Sequence, residues 1–587
     1  MNPPNPFKRA ARRPVVQRCA AAVALVLAAS VAHGQTAQPA TAAATAERES
    51  LEALRETTLA LIDMLVANGT LSRDKADQLL AEARKRAAAK ATPPPGTWGS
   101  PPTAPATATA AAPTPVTRVP YVPQIVRDQI RNELREEIVA KARAERWGVP
   151  NATAEWTDRI TIEGDLRVRG QADLFDDANP SPLELVAASQ AGLVTRVPDL
   201  VTVTALGLPT ANTQDDRNRS RVRARLGLTA RVNDWVTTGL RLATGSATDR
   251  VSTNQTLGQN FNRYSFLVDR AFVRLAPTDW LSASAGRIPN PWFSTDLVWN
   301  ESLSFEGLAV QAQLPAGPSA TWLPFATVGY FPVREGAPPR RGRGIIGAQA
   351  GVQWEASEMT RVRLGLAQYR FRYFEGQIDG DYSAVTGPGR SYGQYEYEAG
   401  LRQRGNTLFL TNSPLELQAG LALDRARWGL ASRFEPWALT VAAEWSHFAP
   451  VFIGLTGEVV RNEAYDRGEI AQRTGGVYLD DARVFGAGMR LTVGAQQVRN
   501  AADWQFTLAY KWLGSDAVPD AFVDSDIGLG GTNVRGLALG LTYGLARDTQ
   551  LAARWITGRT ISSPTVRVGS GDRIAVDSWQ VDLNVRY

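Results

Sequence analysis

From Thr157 to the C-terminus the sequence repeats stretches of about ten residues in which apolar and polar side chains alternate. In the first, RITIEGDLRVRG (159–170), Ile160, Ile162, Leu166 and Val168 share one face, and Arg159, Glu163, Asp165, Arg167 and Arg169 share the other. A period of two is that of a β-strand with one greasy and one polar side. Similar stretches fall near 216–232, 235–246, 264–276, 280–288, 303–314, 321–331, 343–355 and 360–374. Further ones follow near 420–434, 437–448, 482–495, 503–513, 532–545, 549–558 and 574–587, for a total of sixteen.

The connections constrain the fold further. Asn233-Asp234, Pro277 to Asp279, Ala356 to Met359, Glu435-Pro436 and Ala546 to Asp548 read as tight turns. Long polar segments separate them, at 176–215, 247–263, 289–302, 332–342, 375–419, 449–481, 514–531 and 559–573. Alternating short and long connections belong to an outer-membrane barrel, with short periplasmic turns and long external loops. Lipid offers the backbone no hydrogen-bond partner, so a spanning sheet must close on itself. The expected fold is all-β and transmembrane: a roughly 16-stranded antiparallel outer-membrane β-barrel preceded by periplasmic α-helices. An even strand number returns both barrel ends to the periplasmic side.

Upstream of the barrel, residues 1–34 combine five cations with an apolar run, Ala20 to Ala32, and a small-residue end at Gly34. That pattern is a secretory signal peptide. Residues 35–92 contain a helical hairpin, with Leu51, Leu54, Leu61, Ile62, Leu65 and Val66 at helical spacing and a break at Asn68-Gly69. An Ala/Thr/Pro-rich linker covers 93–120, and a periplasmic helix covers 121–150. Val126, Ile130, Leu134 and Ile138 on that helix suit packing within the protein or a seam between subunits. The barrel is assigned to 157–587.

Charge excludes one class of function. The chain has 64 basic and 58 acidic residues, a balance that invites a nucleic-acid reading. Removing the signal peptide leaves 59 against 58, and the basicity disappears with it; no nucleic acid is expected as a partner. The single cysteine, Cys19, is removed as well, and of the two histidines only His447 remains. No cofactor and no metal site are expected, and the spacing of DSD (524–526) is incomplete for a calcium loop.

The polar faces carry the candidate site. DRNRSRVRARLGLTARV (216–232) sets Arg217, Arg219, Arg221, Arg223 and Arg225 on one face, followed by Arg231. In a closed barrel that face lines water. Guanidinium rows favour anions through a narrow passage. Glu163 and Asp165 on the neighbouring strand supply the competing reading, internal pairing that stiffens the wall. The third long loop, IPNPWFSTDLVWNES (288–302), either folds inward as a constriction or caps the barrel outside. Folded inward, its Asp296 and Glu301 would oppose the arginines and set a field across the pore. The last strand presents Trp579, Val581, Leu583, Val585 and Tyr587 on one face, a pattern like the signal read by the barrel-assembly machinery. Trp235, Trp280, Trp437 and Trp504 stand at strand ends, where an aromatic girdle meets the headgroups.

Four stretches, VPYVPQIVRDQIRNELREE (119–137), DRAFVRL (269–275), GRIPNPWF (286–293) and DSDIGLGGTNVRG (524–536), resemble the putative porins of proteobacterial outer membranes. The resemblance implies a porin fold and passive transport of small hydrophilic solutes in the outer membrane of a Gram-negative bacterium. It brings no catalytic residues, and none is expected. Ser446-His447 is the most obvious nucleophile–base material, and it reads as part of the girdle. The expected partners are outer-membrane lipid and lipopolysaccharide, the last facing RRGR (340–343), with a homotrimer as the oligomer such strand numbers often adopt. The rival function is envelope tethering, in which the N-terminal helices reach peptidoglycan or a partner.

Overall fold

The computed structural model describes residues 159–587, apart from 191–193, 197–210, 315–320, 337, 419–425, 475, 477–482 and 565–572. The signal peptide, hairpin, linker and periplasmic helix fall outside the described residues. Sixteen strands build one antiparallel sheet. The first eight are β1 (Ile160–Phe175), β2 (Arg217–Arg231), β3 (Val236–Ala243), β4 (Leu267–Thr278), β5 (Leu281–Pro289), β6 (Ser304–Gln313), β7 (Trp322–Arg334) and β8 (Arg343–Ser357). The other eight are β9 (Thr360–Arg372), β10 (Pro436–Phe448), β11 (Val451–Asn462), β12 (Phe485–Gly494), β13 (Trp504–Leu513), β14 (Val534–Ala546), β15 (Thr549–Thr560) and β16 (Ala575–Arg586). Each strand pairs with the next, and β16 pairs with β1 from Asp165↔Arg586 to Phe175↔Val576, so the sheet is a closed barrel. Among the described residues no helix is long and apolar enough to cross a membrane.

The terminal tyrosine completes the closure. Tyr587 exchanges backbone hydrogen bonds with Gly164 at 2.9 and 3.0 Å. Its ring lies where a Cβ on Gly164 would stand, 2.3 Å from that position. Any side chain at 164 would push the ring off the seam between first and last strands.

Alternation assigns the two faces. Ile162, Leu166 and Val168 on β1, Leu226 and Leu228 on β2, and Trp579 and Leu583 on β16 are exposed outward, while Arg169, Asp173, Ser578, Gln580 and Asp582 are buried inward. Trp235, Trp280, Trp322, Trp354 and Trp504 form an exposed belt at the short-turn rim, where Trp322 stacks on Trp354 at 5.1 Å.

The strand total matches the expectation, but one strand sits elsewhere in the sequence. The described part of 420–434, residues 426–434, is not a barrel strand: within it, Trp428–Leu430 pairs with Leu408–Leu410 inside a long loop. Trp428, Leu430 and Phe434 are fully buried there, which a wall strand with one lipid face cannot be. The missing strand is β11, placed above within a long loop, and its tight turn is Ala449-Pro450 instead of Glu435-Pro436. VFIGLTGEVVRN carries a weak strand signal because Gly454 and Gly457 thin its alternation, although Leu455 and Val459 face outward.

The barrel interior is far from empty. Loops 290–303, 373–435 and 514–533 fold onto the inner faces of β6 to β11 and β13 and bury one apolar cluster against them. Trp299 sits at its centre, with ring centroids of Phe305 and Tyr369 at 5.0 Å and Phe522 at 5.7 Å. Burying aromatic surface drives this docking, so one half of the cross-section is a packed core. The other half, from β15 through β16 to β5, keeps charged side chains on its inner face.

Candidate functional site

The charged half is best read strand by strand. Register sets Arg225 opposite Asp165, Arg223 opposite Arg167, Arg221 opposite Arg169, and Arg217 opposite Asp173. Like charges facing each other destabilise a strand pair; the carboxylates offset this directly, Asp165 facing Arg225 and Asp582 facing Arg169, and on diagonals, Asp165 to Arg223 and Asp173 to Arg219. Asp165 accepts from Arg223 Nε at 3.0 Å and Nη2 at 2.7 Å, and also from Arg225 Nε. Asp173 takes Arg219 at 2.5 Å. Barrel closure brings Asp582 of β16 against Arg169, in a two-pronged bond of 2.6 and 2.8 Å. Fork-to-fork pairing of this kind fixes both groups.

Glu163 behaves differently from Asp165. Its side chain lies over Gly227, where an added Cβ would stand 3.0 Å from it, and its charge acts on Arg270 of β4. Arg270 and its neighbour Asp269 both reach the interior, because an irregular register opposite Arg241 and Leu242 inserts one extra residue. A bulge turns two consecutive side chains to one side. Arg241 Nε then binds Asp269 at 2.6 Å. Arg231 lies at the short-turn end of β2, ten residues along the strand from Arg221.

Loop 290–303 crosses the interior. Phe293 exchanges two hydrogen bonds with Gln349 of β8, and Thr295 donates to Glu458 of β11 through its hydroxyl at 2.6 Å and its amide at 3.2 Å. Asp296 accepts from Arg490 of β12 at 2.6 Å. The loop also meets loop 514–533, with Asn300 N donating to Phe522 O at 2.8 Å and Asp524 N to Asp296 O at 3.0 Å. Glu301 stays exposed, and its charge acts on both Arg223 and Arg490. The loop starts beyond Gly286, whose φ of +112° and 2.4 Å approach to Ala271 O admit no side chain without displacement.

Loop 514–533 contributes the remaining anions. Asp526 faces Arg554 at 3.2 Å and Arg169 at 3.9 Å, and Asp524 faces Lys511 at 3.5 Å. The DSD carboxylates are thus turned toward side-chain cations. Asp520 accepts from the Tyr397 hydroxyl at 2.6 Å, and burial pushes its carboxyl up to about 6 against the opposing pull of Tyr397 and Arg402.

Several members of this network were not singled out in the sequence. Asp173 lies just past the assigned end of the first stretch, and Asp582 becomes a neighbour only when first and last strands meet. Arg490 and Glu458 hold the loop from strands more than 150 residues away. The one available signal was the polar face of the last strand, Gln580, Asp582 and Asn584, read together with the rule that a barrel must close. His447, at the short-turn rim, hydrogen-bonds the Thr360 hydroxyl at 2.8 Å.

A closed sixteen-strand barrel with a lipid-facing apolar wall, a charged inner wall and a loop folded across its interior is the architecture of an outer-membrane channel protein. The sequence matches the family described as putative porin over residues 55–587, and the chain belongs to that family. Similar solved structures include OprB of Pseudomonas putida, at 10% identity and TM-score 0.39 over 74% of this chain and 96% of that one. Another is a loop-deletion form of OmpT from Vibrio cholerae, at 11% identity and TM-score 0.37 over 73% and 100%. An anion-selective porin from Comamonas acidovorans is similar at 11% identity and TM-score 0.35 over 73% and 99%. No curated protein matches the sequence.

Proposed function

We propose that the protein is a passive diffusion channel for small hydrophilic solutes that favours anions. The observation that carries this reading is the imbalance of the inner wall. On β1 to β4 the guanidiniums of Arg167, Arg169, Arg219, Arg221, Arg223, Arg225, Arg241 and Arg270 outnumber the carboxylates of Glu163, Asp165, Asp173 and Asp269. Arg221, Arg223, Arg225 and Arg270 retain exposed surface, so a solute in water can approach them. Across from them stand Glu301 on loop 290–303 and Asp526 on loop 514–533. Facing rows of opposite sign align a polar solute as it passes, and the excess of cations raises the local anion concentration.

On this reading loop 290–303 is the constriction, pinned by Glu458 and Arg490, and solutes move along the charged half of the barrel beside the aromatic core. The C-terminal stripe ending at Tyr587 serves the assembly machinery, lipopolysaccharide meets the long-loop rim, and the working unit is a homotrimer. The test is the reversal potential in planar bilayers under a salt gradient. Replacing Arg219, Arg221, Arg223 and Arg225 with Gln should abolish the anion preference of the wild type. A non-conducting wild-type barrel would sink the channel reading, and an unchanged selectivity would sink the role given to the arginines.

A further inference from the structure

The outward face of the wall also carries arginines, at its long-loop rim. Alternation turns Arg287 of β5, Arg370 of β9 and Arg461 of β11 outward, with exposed Ile346 opposite Arg370 and exposed Trp437 opposite Arg461. Each has a carboxylate of its own: Glu306 for Arg287, Glu435 at 3.1 Å for Arg370 and Glu463 at 3.1 Å for Arg461. Arg372, the last residue of β9, lies over the Tyr373 ring at 5.5 Å. Arg535 of β14 and Arg559 of β15 have neither kind of partner. They stand directly opposite each other in register, and Trp512 of β13 flanks Arg535 on its other side. Arg559 is exposed and Arg535 half-buried. Among the described residues no carboxylate lies within ion-pair distance of either one. Asp577 of β16, diagonal to Arg559 on the same face, is beyond that distance. RRGR (340–343), expected above to face lipopolysaccharide, engages its cations within the chain. Arg340 donates to the Tyr392 carbonyl at 3.0 Å, Arg341 lies over the Tyr373 ring, and the buried Arg343 meets Glu398 at 3.2 Å.

We propose that Arg535 and Arg559 form a binding site for a phosphate group of the outer-leaflet lipid, the lipid A portion of lipopolysaccharide. This inference rests on the lipopolysaccharide partner named above and assigns it a contact. Like charges directly opposite destabilise a strand pair. An anion from outside the chain removes that cost where the chain supplies none. The depth of the pair suits a headgroup. Arg535 lies ten residues along β14 from the exposed Leu545 at the short-turn end. That is about 33 Å of strand, or about 25 Å along the membrane normal at a tilt of about 40°, which matches an apolar band about 25 Å tall. The pair therefore stands at the outer edge of the band, and Trp512 beside it belongs to the aromatic belt of that interface. Directly opposite side chains lie about 5 Å apart, so two guanidinium forks can share the oxygens of one phosphate. Toward the short turns the same face continues with Leu537, Leu539 and the neighbouring rings of Trp555 and Trp579, an apolar bed for acyl chains.

Native mass spectrometry on the full-length protein, stripped of lipopolysaccharide, tests this with three probes: bisphosphorylated lipid A, dephosphorylated lipid A and inorganic phosphate. The wild type should bind the phosphorylated lipid about 30-fold more tightly than the dephosphorylated one, at about fivefold for each arginine. Arg535→Gln and Arg559→Gln should each lose about fivefold of that preference, and the double variant nearly all of it. Arg340→Gln combined with Arg341→Gln should leave it within about twofold. Heat-modifiable migration on gels verifies that each variant is a folded barrel. A phosphate preference that survives in the folded double variant overturns the site. Inorganic phosphate held as tightly as the phosphorylated lipid overturns the lipid as its occupant. A double variant that falls apart into single subunits while keeping its lipid preference assigns the pair to a seam between copies and overturns the lipid site. A wild type that binds both lipids equally overturns the phosphate contact alone, and one that binds neither overturns the lipopolysaccharide partner beneath it.

Discussion

Replacing Asp165 with Asn removes the carboxylate that two arginines share, while keeping the shape of the side chain. Three charge-assisted hydrogen bonds lose their acceptor charge, two from Arg223 and one from Arg225. The three side chains keep 14–24% of their surface exposed, so water relieves part of the loss. Breaking a buried pair costs about 3–5 kcal/mol and an exposed one under about 1, so about 1–2 kcal/mol is expected at this lumen wall. The larger effect is on ions in transit. One uncompensated positive charge about 8 Å from a passing ion, with water-like screening, shifts its energy by about 0.2–0.5 kcal/mol, stabilising anions and destabilising cations. The two shifts act together on the permeability ratio, so anion preference should rise about two- to fivefold. Reversal potentials under a salt gradient read this ratio, and adding Arg225→Gln to Asp165→Asn should return it toward wild type. A folded Asp165→Asn channel with unchanged or reduced anion preference would refute the claim that these charges face the conducting path.

Other outcomes follow from the loops. Glu458→Ala removes the acceptor for Thr295 and Thr440, so loop 290–303 should loosen, giving higher single-channel conductance and faster proteolysis within 290–303. Trp299→Ala empties the centre of the aromatic cluster at a cost of about 3–5 kcal/mol, and the loop should lose its protease resistance while the barrel stays folded by heat-modifiable migration. Because burial raises the Asp520 carboxyl to about 6, its ionisation opposes docking of loop 514–533. The penalty is absent below the ordinary value of 3.8 and grows as pH rises through about 6, so the loop should be better protected from protease at pH 5 than at pH 7.5. Asp520→Asn should flatten that difference, and a difference that persists would place its origin elsewhere.

The barrel was legible because its signals are local. Lipid on one side and water on the other force a period of two on β1, β2 and β16, and short turns give away strands whose ends meet at once. The same logic failed at 420–434 and 451–462. A loop strand buried on both faces also alternates, and a wall strand with glycines at 454 and 457 alternates weakly. The arginine row was legible as a row.

What became of each arginine was settled by contacts that no window of sequence contains. Arg169 is neutralised by Asp582, 413 residues away, because closure makes the first strand a neighbour of the last. Asp269 and Arg270 both face inward because one extra residue in β4 breaks the alternation on which sequence reading depends. Loop 290–303 lies across the interior because Gln349, Glu458 and Arg490 wait on three distant strands and an aromatic core covers Trp299. Sequence alone determined that this chain closes into a barrel and that one strand carries a period-two row of arginines, since the alternation follows from the solvent each strand face meets. Only the tertiary structure decided which of those charges are spent on one another, since pairing depends on distances set by closure, bulge and loop.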